Sequence, residues 1–284
     1  MRMKEAPVSM PVYPERIVIE LTSHCNLSCP MCPRVYMQEE CGYMEKALWS
    51  RLIDEIALST PGSVIIPFWR GESLLHPEFS EFISYALRRD LRIHLATNGH
   101  LMTGEYAAIA AECELVTFSI HTPIGYTRAR DFLSLREGGR PAVQISFVTG
   151  EPTEGLLNDA IKSPCLDGFD SVRLYEEHSR DGLFGKSERV PDGGRRFCPT
   201  LKDTVVIAFN GGISRCHHIW KTEESVNIAR SSIRDIWNSE TLMRIRDWYP
   251  DDACSVCDQW TGHTYGEAWQ RSANGIVHTC YSTS

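Results

Sequence analysis

The apolar positions of this chain fall into short runs separated by longer amphipathic stretches. Runs at 16–21, 64–69, 91–96, 115–120, 142–148 and 171–175 are rich in Ile, Val, Leu and Phe and have strand lengths. Between them the period changes. Over 45–58, Leu48, Leu52, Ile53 and Ile56 fall on one helical face, and over 77–89 Phe79, Phe82, Ile83, Ala86 and Leu87 do the same. Strand–helix alternation predicts a parallel sheet with crossover helices. Six such units fit within the first 175 residues. That gives an α/β fold, either a six-unit sheet or an open partial barrel, and periodicity leaves closure open.

Beyond residue 175 the pattern changes. The stretch 176–196 is polar, contains Asp-Gly and Pro-Asp-Gly-Gly, and reads as a loop or linker. Residues 204–209 and 213–216, joined by Asn-Gly-Gly, read as a β-hairpin. Ser232, with Asp235 three residues on, opens an amphipathic helix as its N-cap. The remaining tail is rich in Trp and Tyr and shows no assignable element. The division expected is a core over 1–180 and a smaller C-terminal region over 181–284.

Composition narrows the class. The net charge is −8, whereas phosphate-backbone binding needs concentrated Lys and Arg, so nucleic acid is not expected as a partner. Residues 1–14 hold no apolar signal region and no run reaches the length of a membrane span, which predicts a cytoplasmic protein without a membrane partner. There are 11 cysteines, an odd number. Without a signal region they read as metal or cluster ligands rather than disulfides.

Three cysteines stand together in Cys25-Asn-Leu-Ser-Cys29-Pro-Met-Cys32, directly after the first apolar run. Three thiolates on one short loop can hold three corners of an iron–sulfur cube and leave the fourth iron open to another ligand. Other short motifs follow the next strands. Gly71-Glu72-Ser73 follows the second, Leu75-His76-Pro77 comes next, Thr97-Asn98-Gly99 ends the third, and Ser119 closes the fourth.

In this order the motifs resemble the radical S-adenosylmethionine (radical SAM) superfamily. The resemblance implies a (β/α)6 partial TIM barrel over residues 17–175. It implies a [4Fe–4S] cluster on Cys25, Cys29 and Cys32, with SAM on the open iron as the source of a 5′-deoxyadenosyl radical. Gly71, Glu72, Ser73, Thr97, Asn98, Gly99 and Ser119 stand where the family contacts SAM. The family usually has Gly-Gly-Glu-Pro after the second strand; here Arg70 and Ser73 replace the first Gly and the Pro.

Cys198, Cys216, Cys254 and Cys257 form a second, four-ligand set. From the residues alone it could hold a structural zinc or a cluster. Beside a radical SAM core it resembles the twitch domain, the shortened SPASM domain. That implies a β-hairpin plus helix region with one auxiliary [4Fe–4S] cluster, two clusters in all. The ligand spacing is similar to that of the twitch-type enzymes that oxidise an aminocyclitol alcohol.

The reaction implied is hydrogen abstraction from a carbon of a small polyol or aminosugar, possible relatives of which are aminoglycosides and aminocyclitols. It ends either in dehydrogenation, with an electron passed to the auxiliary cluster, or in epimerisation, with hydrogen returned by a thiol. Cys41 and Cys280 are candidate hydrogen donors. Glu176, Glu177, His178 and Arg180, after the sixth strand, are candidates for a base or a substrate grip. Cys113, among apolar residues, reads as core. A flavodoxin or ferredoxin is the expected electron donor. Two alternatives stand beside this reading. One is epimerisation or cross-linking of a ribosomally made precursor peptide, disfavoured by the expectation that the short chain lacks a leader-binding domain. The other is a non-catalytic metal or redox sensor, which would not need Gly71-Glu72 or Thr97-Asn98-Gly99.

Overall fold

A computed structural model describes residues 12–37, 39–149, 153–162, 166–175, 199–223, 225–247 and 266–281. Six strands pair in parallel and in chain order: β1 (Arg16–Ile19), β2 (Val64–Ile66), β3 (Arg92–Thr97), β4 (Leu115–Ser119), β5 (Ala142–Val148) and β6 (Ser171–Tyr175). The sheet does not close on itself, so the barrel is partial, as the motif resemblance implied.

Helices α1 (Lys46–Ser59), α2 (Phe79–Leu87), α3 (Gly104–Ala110), α4 (Pro123–Phe132) and α5 (Glu154–Lys162) cover the outer face. The predicted apolar stripes are the faces they bury. Trp49, Leu52, Ile53 and Ile56 of α1 and Phe79, Phe82, Ile83 and Ala86 of α2 join one core with Ile93, Leu95, Val116, Phe118, Val143 and Ile145 of the strands. Trp49 stacks on Phe82 at 5.2 Å and donates its indole N–H to the Phe82 carbonyl at 3.0 Å.

The inner face of the sheet is divided. Near β1 it is apolar, with Val18, Ile66, Trp69, Val206 and Ala208 in a second cluster. Toward β6 it is polar. Gln144 donates to Thr117 Oγ1 at 3.2 Å and accepts from Ser171 Oγ at 3.2 Å, a chain of side chains across three adjacent strands. A polar lumen wall offers hydrogen-bonding groups to a polar molecule.

The C-terminal region adds a hairpin to each edge of this sheet, giving ten strands in the order β10-β9-β6-β5-β4-β3-β2-β1-β7-β8. After α6 (Pro199–Asp203), β7 (Thr204–Ile207) lies parallel to β1 and antiparallel to β8 (Ile213–Ser214), which is the hairpin expected from Asn-Gly-Gly. Gly211 in that turn has φ +82°, a conformation open to glycine. Then come α7 (Ile233–Trp237), with Ser232 Oγ accepting from the Asp235 N–H at 3.0 Å, and α8 (Glu240–Asp247). The second hairpin, β9 (Gly266–Ser272) and β10 (Gly275–Tyr281), joins β6 through antiparallel β9. Residues 266–281 are thus an element where the sequence showed only an aromatic-rich tail. Among the described residues, no helix is long and apolar enough to cross a membrane.

Candidate functional site

The C-terminal ends of β1 to β4 converge on a cavity of about 180 Å³. Cys25, Cys29 and Cys32 line it together with Arg70, Gly71, Glu72, Thr97, Asn98 and Ser119. The cysteine loop is held from several sides. Thr22 Oγ1 donates to the Gly42 carbonyl at 2.7 Å, the Gly42 N–H donates to Ser23 Oγ at 3.0 Å, and Arg34 reaches the Ser23 carbonyl at 3.4 Å. Within the loop the Cys32 N–H donates to the Cys29 carbonyl at 3.0 Å. Burial pushes the Cys25 thiol above its ordinary pKa.

Gly71 makes the next motif fit. A Cβ at Gly71 would stand 2.2 Å from the Thr22 carbonyl oxygen and 2.5 Å from that of His24. Only a glycine lets the chain after β2 pass this close to the cysteine loop. The Glu72 N–H then donates to the His24 carbonyl at 2.8 Å.

Glu72 is buried, and its carboxylate joins the second motif to the third. It accepts from Thr97 Oγ1 at 2.8 Å, from the Asn98 N–H at 2.7 Å and from the Leu74 N–H at 3.2 Å. Burial raises its pKa against the lowering effect of these donors. Asn98 carries the link back to the loop: its Nδ2 donates to Asn26 Oδ1 at 2.8 Å and lies 4.0 Å from Cys25 Sγ. Ser73 is buried, with its hydroxyl on the Pro67 carbonyl. Gly99, at φ +82°, turns the chain out of β3.

The residue that departs from the family motif has its own place. Arg70 is buried, its guanidinium 4.2 Å above the Trp69 ring. It forks onto Glu20 through Nε at 2.9 Å and NH2 at 2.7 Å, and NH1 meets Glu39 at 2.7 Å. Glu20 precedes the cysteine loop and Glu39 follows it, so one guanidinium ties both ends. The Phe209 N–H also donates to Glu20 Oε2 at 3.2 Å, which brings the strand-β7 side into the same network.

Sequence reasoning missed several lining residues. His121 follows β4, Phe68 and Trp69 follow β2, Val148 ends β5, and Trp220 comes from beyond β8. The signal for His121 was its place just beyond a barrel strand's C-terminal end. Trp220 had no such signal. The Trp69 indole donates to the His217 carbonyl at 3.0 Å and so sets the segment 216–220 against the cavity. Cys216, in that segment, is buried.

The other predicted residues fall elsewhere. Cys41 is exposed, with its thiol 3.7 Å from the Ser23 carbonyl, and is not among the residues lining the cavity. Cys113 is core, and burial pushes its thiol up to about 12. Cys280 lies on β10 in register with Glu267. Glu176, Glu177, His178, Arg180, Cys198, Cys254 and Cys257 lie outside the described residues.

The donor set fits a cubane cluster with an open iron: among the described residues three thiols and no fourth cysteine line the cavity wall, beside free volume. Among the described residues no three His, Cys, Asp or Glu side chains converge as a single-ion site. The thiolates of a cube bind separate irons.

Comparison with known proteins agrees. The radical SAM superfamily matches residues 19–124, and the SPASM iron–sulfur cluster-binding domain matches residues 198–258. The tungsten-containing aldehyde ferredoxin oxidoreductase cofactor-modifying protein of Pyrococcus furiosus is 34% identical in an alignment that covers 79% of this chain and 81% of that protein. Among solved structures, BtrN in complex with AdoMet and 2-DOIA has a TM-score of 0.63 at 18% identity, covering 86% of this chain and 92% of BtrN. SuiB of Streptococcus suis bound to precursor peptide SuiA has a TM-score of 0.66 at 12% identity, covering 89% and 71%. At these identities the likeness to the two structures is one of fold. The cofactors of the two matched domains are SAM with a [4Fe–4S] cluster, and auxiliary iron–sulfur clusters. This chain therefore belongs to the radical SAM superfamily, as an enzyme with a C-terminal SPASM domain.

Proposed function

We propose that the chain removes a hydrogen atom from a carbon of a small polar molecule held in the barrel lumen, and that the product is oxidised or epimerised at that carbon. The observation that carries this reading is the continuity of the site. Three cysteines, the Glu72–Thr97–Asn98 bonds and a cavity of about 180 Å³ share one wall. SAM and its cluster, when bound, supply hydrogen abstraction from an unactivated C–H bond.

The chain's own residues divide the remaining work. Cys25, Cys29 and Cys32 hold the core cluster. Gly71, Glu72, Ser73, Thr97, Asn98, Gly99 and Ser119 shape and hold the SAM side of the cavity. Phe68, Trp69 and Trp220 give it an apolar wall that keeps water from the reacting carbon. His121, an imidazole facing the cavity, is placed to take the hydroxyl proton when a carbinol becomes a ketone. Cys216, with Cys198, Cys254 and Cys257, holds the auxiliary cluster, an electron acceptor for the oxidative outcome. A flavodoxin or ferredoxin delivers the electron that starts each turnover.

The P. furiosus relative is named for modification of an enzyme cofactor, and a cofactor or its precursor is one member of the small-molecule class. A precursor peptide is the second reading. It draws on β10, the outermost strand on the β6 side of the sheet, whose edge is open to an extended peptide as a further strand.

The test is product analysis with reconstituted protein, SAM, a reductant and candidate small substrates. A product lighter by two hydrogens supports oxidation, and an isobaric product with solvent deuterium on carbon supports epimerisation. Turnover with peptides alone would replace the small-molecule reading by the second one.

A further inference from the structure

Arg173 on β6 meets no carboxylate among the described residues. Its NH1 donates to the Tyr175 hydroxyl at 3.2 Å, and its Nε is buried without an acceptor. Arg70, Arg136 and Arg215 are charge-paired, with Glu20, Asp170 and Glu223, while the buried Arg246 lies over the Trp237 ring. A guanidinium does not shed its charge. Arg173 is half-buried, and leaving its buried Nε–H without an acceptor costs free energy, so this donor asks for a reason.

Its position supplies one. Ser119, Ser146, Arg173 and Ala268 stand in register across β4, β5, β6 and β9. Ser119 lines the cavity, and the Ser146 hydroxyl lies 3.5 Å from that of Ser119, so this row faces the lumen. One row on, Val148 lines the cavity and pairs with Tyr175. Ala268 is buried, and the neighbouring strand β9 sets only its methyl group opposite Arg173. Arg173 therefore stands about 10 Å from Ser119, two strand spacings away, on the wall remote from the cysteine loop.

We propose that Arg173, with the Tyr175 and Ser146 hydroxyls, is the subsite for a carboxylate or phosphate group of the substrate. The guanidinium fork matches either group by paired N–H···O bonds. The inference rests on the reading of the lumen as the substrate site and narrows it: the substrate is an acid. An aminocyclitol with an ammonium at this point would be repelled.

The test is titration of reconstituted protein with inorganic phosphate and, separately, with malonate, with and without SAM, followed by calorimetry. At least one of the two binds wild-type protein, and the tighter one names the class of anion. Arg173→Gln weakens that binding tenfold or more, Arg173→Lys restores part of it, and Tyr175→Phe weakens it less than Arg173→Gln. Arg128→Gln, exposed on α4, leaves it unchanged. Iron content and melting temperature, equal across the variants, separate loss of the subsite from loss of the fold. Absence of binding to wild type, or equal binding to Arg173→Gln, overturns the proposal. So does competition between the anion and SAM, which would give the site to SAM's own carboxylate. These titrations need no reductant, so they stand apart from a failure of SAM cleavage, which would instead remove the catalytic reading.

Discussion

Arg70→Met isolates the buried charge network beside the cysteine loop. The Arg70 and Glu20 side chains are both 0% exposed, and the fork between them closes at 2.9 and 2.7 Å. Removing the arginine leaves a buried carboxylate whose remaining donors among the described residues are two backbone N–H groups, of residue 70 and of Phe209, each at 3.2 Å. Breaking a buried pair in this way costs about 3–5 kcal/mol. The second arm, to Glu39, adds little, because that side chain is 40% exposed and an exposed pair contributes roughly 0.2–1 kcal/mol. The double variant Glu20→Gln with Arg70→Met removes the stranded charge and recovers part of the loss, with a coupling of about 1–3 kcal/mol. Urea unfolding of the cluster-free protein, followed by tryptophan fluorescence, measures Arg70→Met, Glu20→Gln alone and the double variant against wild type. A loss under about 1 kcal/mol for Arg70→Met, or simple additivity in the double variant, would refute the claim that this pair holds the loop.

Gly71→Ala should cost about 1–3 kcal/mol, because the added methyl meets backbone oxygens of Thr22 and His24 and the cysteine loop must shift; melting temperature and iron content should fall together. Glu72→Gln keeps the shape but replaces an acceptor oxygen by an NH2 that cannot receive the Asn98 or Thr97 hydrogen bond, so SAM should bind roughly tenfold weaker by equilibrium dialysis. The Arg92 hydrogen bond holds the Glu114 carboxyl below its ordinary value of 4.5. Its stabilisation is present above pH 4.5 and is lost as pH falls through the lower folded value. Glu114→Gln should therefore be less stable than wild type at neutral pH, by under about 1 kcal/mol for so exposed a pair, and the gap should close in acid.

The six parallel strands were legible because each turns its apolar residues to the buried, helix-covered side, as Ile93 and Leu95 of β3 and Val116 and Phe118 of β4 do. Their ends were less so. The run at 64–69 gives a strand of only Val64–Ile66, since Pro67 has no N–H to donate to the sheet. The hairpin β9–β10 was not legible. Glu267, Gln270 and Arg271 break the apolar alternation, and the hairpin is placed by pairing with β6, a tertiary effect. The cysteine, Gly-Glu and Thr-Asn-Gly motifs could be read singly, but their joining through Glu72 could not. Glu20 is a charge within the first apolar run, and no sequence pattern gave it a role. Its partner, fifty residues away, carries no periodic signal. Arg173 looked like an ordinary strand arginine until the register set it facing the lumen.

The central claim is that the cavity on Cys25, Cys29 and Cys32 binds SAM on an open iron and cleaves it. The most direct measurement is 5′-deoxyadenosine formed by reconstituted, reduced protein, compared with Cys29→Ala prepared alike. The account predicts product from the wild type, none from Cys29→Ala, and an iron content that falls from about eight to about four atoms per chain. Product of equal yield from both proteins, or none from a wild type that holds its full iron, would contradict it.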